Sequence, residues 1–139
     1  MEGYEIPSKP FYKDPHSSVS LYRAISLNRG RVPVIIKRYD FAPIQHKSTQ
    51  QSLSLVLNSA LAQAKVCHPH VCEIVEIQVE IKGNHCTVFE VVEQWEKSLK
   101  EEIEERMGEK HPYSEVELKT VLGQTSSALA SAHSKAEAT

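Results

Sequence analysis

Two short stretches hold the residue types and spacings from which chemistry could be built. In "VPVIIKRYDF" (32–41) five of the first six residues are apolar or proline, and Lys37 follows them. β-Branched runs of this kind form buried strands, where an ammonium is costly unless it is paired. A lysine held there either works as a fixed cation for an anionic ligand or packs its stem on the sheet and extends its head to water. In "CHPHVC", Cys67, His68, His70 and Cys72 fall within six residues, and His85 and Cys86 come later. Thiolate and imidazole are zinc ligands. The spacing differs from that of zinc fingers and Pro69 separates the histidines, so no metal is expected. Nothing beyond residue types supports Ser-His-Asp or Cys-His catalysis. The acidic residues of 101–105 fit a solvated helix face or a partner surface.

The composition limits what can surround these residues. A chain of 139 residues, 40% hydrophobic and 24% charged, is large enough for one domain with a core. A net charge of −2 gives no reason to expect nucleic acid or an anionic membrane. No apolar run approaches the ~18 residues of a membrane span, and the first residues lack a signal-peptide core. Three cysteines make a disulfide framework improbable and favour a reducing, cytoplasmic setting.

The elements follow from periodicity. Residues 1–17 hold three of the seven prolines and read as extended chain or loop. "VSLYRAISL" (19–27) and 32–40 flank the turn "NRGR" as a hairpin. Residues 48–66 form a helix with Leu53, Leu57, Ala60, Leu61 and Ala64 on one face, and Pro69 bars its continuation. "CEIVEIQVEI" (72–81), the turn "KGN" and "HCTVFEVV" (85–92) make a second hairpin. Residues 96–107 are helical, with Lys97–Glu101 and Lys100–Glu104 as i,i+4 pairs. Ser114 and Glu117 open the last helix as a capping box, and Leu118, Leu122, Thr125, Leu129 and Ala132 form its stripe. The order β-β-β-α-β-β-α-α is α+β: a five-stranded antiparallel sheet with one helix, followed by two helices.

With a lysine inside the third strand, that order resembles the small lobe of a protein kinase. "VIIK" resembles the family's V-A-I-K, "AKVCHPHV" the loop after its αC helix, and "TVFEVVEQ" its fifth strand, gatekeeper and hinge. "SLKEEIEER" resembles the short helix after the hinge, and "YSEVELKTVLGQTSSALASAHSK" the long helix before the catalytic loop. The resemblance implies one truncated kinase-like domain over 1–139, with small lobe and hinge at 10–92 and the first large-lobe helices at 93–139. It implies a nucleotide site at Lys37, Ile35, the gatekeeper-like Phe89, which could equally be core, and the backbone of Glu90 and Val92.

The same alignment exposes departures. The three glycine positions of the phosphate loop are Asp14, His16 and Val19, and side chains there keep phosphate from the backbone. The αC glutamate that should pair with the lysine is Ser59, and no acid occurs between Asp40 and Glu73. Ile35 stands where a small alanine leaves room for adenine. No H-R-D or D-F-G segment occurs, and His133 has no arginine-aspartate after it. No catalytic residue is expected. The expectation is a non-catalytic pseudokinase-like module with no required cofactor and at most weak ATP/Mg binding. It would bind another protein, or itself, through the helices 48–66 and 114–135, and the apolar stripe of 114–135 would lie exposed. The alternatives are part of a kinase whose catalytic loop lies beyond this chain, and an unrelated α+β interaction or zinc-binding domain.

Overall fold

The computed structural model describes residues 1–137. Nine elements follow one another: β1 (Tyr4–Glu5), β2 (Tyr12–Lys13), β3 (Val19–Ser26), β4 (Val32–Phe41), α1 (Lys47–Ala64), β5 (Ile74–Lys82), β6 (His85–Glu93), α2 (Leu99–Glu109) and α3 (Glu115–Glu137). The class is α+β, with a curled antiparallel sheet in the order β1-β3-β4-β6-β5 and β2 paired to β3. The chain divides into two compact units. One contains Met1–Lys65 with Cys72–Gln94, and the other contains Val66–Val71 with the chain from Trp95 on.

In the first unit the period-2 alternation of β4 and β6 separates two apolar clusters. Ala24, Val34, Ile36, Phe89 and Val91 pack on one face, covered by Met1, Tyr4 and Ile6. Phe41, Cys86 and Val88 pack on the other, against Leu53, Val56 and Leu57 of α1. The N-terminal residues are therefore more than loop. Leu27 N–H donates to the Gly3 carbonyl at 2.8 Å, and the Tyr4 hydroxyl donates to Glu76 on β5. Gly3 is at φ +85°, a conformation that other residues adopt only with strain.

The helical face of α1 differs from its expected stripe. Leu53, Val56, Leu57 and Ala60 meet the sheet, while Leu61 is exposed. Val56 and Ala60 are four residues apart and set the contact line on one side of Leu57, which turns Leu61 to the rim. The helix ends at Ala64, with Lys65 as its C-cap, ahead of Pro69.

In the second unit, Ser98 caps α2 in a capping box with Glu101. This overturns the expected Lys97–Glu101 pair: Lys97 precedes the helix and bridges to Glu105 instead. Lys100–Glu104 does form, at 4.0 Å. The Ser114–Glu117 box opens α3 as expected. Arg106 ties the two helices together, lying 2.6 Å from Glu117 and over the ring of Tyr113.

Candidate functional site

β4 carries Ile35, Lys37, Tyr39 and Phe41 toward α1, because alternate residues share a face and Phe41 packs there. β6 lies beside it antiparallel and carries Cys86, Val88, Glu90 and Val92 to the same face. The register sets Lys37 directly opposite Glu90 and Ile35 opposite Val92. Lys37 Nζ lies 3.9 Å from Glu90 Oε1, with side-chain exposures of 27% and 6%. Above the pair, α1 contributes Leu55, Val56, Ser59, Ala60 and Gln63, and the open hollow between them is about 260 Å³. Gln63 Nε2 donates to the Cys72 carbonyl at 3.2 Å, which holds the end of α1 over this cleft.

The partner that α1 does not supply to Lys37 thus comes from the neighbouring strand. Ser59, at the position of the missing helix acid, lines the same cleft. A carboxylate as buried as Glu90 needs a compensating cation, and removing one partner of such a pair costs far more than the pair contributes. The charges set the titration of their neighbours. Burial, and then the negative charge of Glu90, push the Tyr39 phenol above its ordinary value. Burial and Glu93 push the Cys72 thiol up, while Lys37 pulls it down.

The other residues implied by the resemblance are dispersed. Phe89 lies on the opposite face of the sheet from Lys37, in the cluster of Ala24, Val34 and Ile36. It packs in the core and does not line the cleft. Glu90 and Val92 sit in a strand hydrogen-bonded on both sides, to β4 and to β5. Their backbone groups are spent on the sheet. Ile35 has no exposed surface and Val92 has 1%, so neither offers surface to a ligand.

Asp14, His16 and Val19 fall at the β2–β3 connection. Asp14 N–H donates to the Val19 carbonyl at 3.1 Å and closes the hairpin. The Asp14 carboxylate accepts from His16 N–H at 2.9 Å, so the loop amide is bound by its own side chain. Between this loop and the first turns of α1 lies a larger hollow of about 450 Å³, lined by Ser17, Ser48, Thr49 and Ser52 among others. Its one acid, Asp40, is held by Arg38 and Thr87. No buried charge faces it, and the Lys37–Glu90 cleft is the stronger candidate.

The Cys-His stretch has another role. The His68 Nδ1 accepts from His70 N–H at 3.0 Å, which leaves the proton on Nε2, 2.9 Å from Ser127 Oγ on α3. Both ring nitrogens are occupied. Among the described residues no group of three or more His, Cys, Asp or Glu could hold a metal ion. The cysteines are free, with Cys67 exposed and Cys86 buried. No helix among the described residues is long and apolar enough to cross a membrane.

No model of a known protein family matches the chain, and no curated protein matches it.

Proposed function

We propose that the chain is a protein kinase-like module whose nucleotide site has been given up, and that it acts by binding another protein. The observation that carries this reading is the Lys37–Glu90 pair. A strand lysine ahead of a helix resembles the phosphate-binding cation of a kinase small lobe, and that resemblance supports the reading. In this chain a buried carboxylate from β6 neutralises that cation. A phosphate entering the cleft would displace or approach Glu90, and like charges at such distances in a partly dry site repel strongly. Three further features point the same way: Ile35 and Val92 are buried and offer no surface to a ligand, the hinge-like backbone is spent on the sheet, and Asp14 binds its own loop amide.

The partner-binding half of the proposal rests on exposed apolar side chains. Leu55 and Leu61 on α1, and Leu118, Leu122 and Leu129 on α3, lie open to solvent. Isolated exposed leucines such as Leu55 and Leu61 are ordinary, but Leu118, Leu122 and Leu129 recur at spacings of four and seven on α3, and a row of that kind suits a protein surface. The placement of Lys37 also fits a kinase whose catalytic loop lies beyond residue 139, and nucleotide separates the two readings. Melting the protein with and without Mg–ATP tests the proposal. The expected result is no nucleotide-dependent rise in Tm. A rise in the wild type that Lys37→Met abolishes would show a working phosphate site and overturn the reading.

A further inference from the structure

β5 ends the sheet. It pairs with β6 on one side, and among the described residues its other side has no backbone partner. Its regular stretch, Glu76–Lys82, lies beyond the register irregularity between Ile74 and Glu76. Seven residues make a free edge of about 24 Å. An unprotected edge of this length is a template for a further strand. The face that α1 covers elsewhere is open here: Val79 is 47% exposed and Ile81 65%. No proline interrupts Glu76–Lys82.

Charged side chains usually discourage edge pairing. In β5 their order does the opposite for one partner, a second copy of the same strand. Placed antiparallel about a two-fold axis at Val79, the sequence EIQVEIK sets Glu76 opposite Lys82 twice and Ile77 opposite Ile81 twice. Val79 meets itself, and Gln78 meets Glu80. The neighbouring registers lose this match. Centring on Gln78 sets Glu76 against Glu80, and centring on Glu80 sets that carboxylate against itself. A two-fold axis perpendicular to the sheet also keeps both faces aligned, so Ile77, Val79 and Ile81 of both copies form one apolar strip. The Glu76 carboxylate already accepts from Tyr4 and Gln78, and a carboxylate has room for a further donor.

We propose that this chain forms a homodimer by antiparallel pairing of β5 with β5 of a second copy, in the register centred on Val79. The interface is separate from the helical surfaces of the proposed function, and its test does not depend on nucleotide.

Sedimentation of the full 139-residue chain across a range of concentrations tests it. The wild type is expected to form a concentration-dependent dimer. Lys82→Glu sets four carboxylates in two like-charge pairs, and Glu76→Lys sets ammoniums likewise. Each alone should weaken association on the order of tenfold or more, and less so in high salt. The decisive sample is an equimolar mixture of the two single variants. Its mixed pairs regain opposite charges at both positions, and dimer should return. Val79→Lys, at an exposed position, should abolish association while the far-UV CD spectrum stays that of the wild type. A wild type that stays monomeric at every concentration would overturn the proposal, leaving the edge to a foreign strand. So would a dimer indifferent to Lys82→Glu, which would be joined elsewhere, or a mixture no more associated than its parts.

Discussion

Replacing Lys37 with methionine keeps a long side chain in the cleft and removes the charge that faces Glu90. The two consequences differ in size because the partners are buried differently. Glu90 retains 6% of its side-chain surface and Lys37 retains 27%. A fully buried pair broken on one side costs about 3–5 kcal/mol. The 3.9 Å separation and the partial exposure of Lys37 place this pair lower, at about 1–3 kcal/mol for Lys37→Met. Glu90→Gln leaves the less buried partner, which can turn to water, and should cost less than about 1 kcal/mol. The double variant Lys37→Met/Glu90→Leu removes both charges and should recover most of the loss. Urea unfolding followed by CD at neutral pH measures all three. If Glu90→Gln loses more than Lys37→Met, or if the double variant is no better than Lys37→Met, then Glu90 is not compensated by Lys37 and the reasoning fails.

The Arg106–Glu117 contact should lock α2 to α3. Arg106 holds the Glu117 carboxyl down to about 2, so this contribution is complete above the ordinary carboxylate range and disappears as pH falls through about 2; Arg106→Ala should lower the melting temperature at neutral pH and erase that acid limb. The Tyr4 phenol is pushed up to about 12 by burial and its bond to Glu76, so the stability it contributes is present below pH ~10 and lost as pH rises through about 12. Tyr4→Phe should cost about 1 kcal/mol at neutral pH and flatten the alkaline decline seen in a pH series of melts. Burial raises the thiols of Cys72 and Cys86, so iodoacetamide at neutral pH should label the exposed Cys67 first, as peptide mass spectrometry would read.

Much of the fold was legible in local pattern. The alternation in 19–41 and 74–92, the turn glycines and the Ser114–Glu117 box each specify geometry within a few residues. Lys37 stood out because an ammonium in a β-branched run is expensive, and the lack of an acid in 48–66 followed from reading the residues. Its actual partner was hidden because the Lys37–Glu90 pairing exists only in the register of two strands separated by a helix. One signal was available: in "VFEVV" the alternation that buries Val88 and Val92 buries Glu90 with them, and a buried acid needs a cation. The same alternation turns Phe89 to the opposite face, against its alignment as a gatekeeper. The α1 face was misjudged by one row, because leucine spacing alone cannot say which side of Leu57 meets the sheet. The Lys97–Glu101 pair failed because Ser98, three residues before Glu101, claims that carboxylate as a cap.

Isothermal titration of the wild-type chain with Mg–ATP, with Lys37→Met as the control, shows whether Lys37 is open to phosphate. No saturable binding up to millimolar nucleotide is expected in either protein, because Lys37 is already neutralised by Glu90. Micromolar binding to the wild type that disappears in Lys37→Met would contradict that expectation, and would mean that phosphate, and not Glu90, is the partner for which this strand lysine is kept.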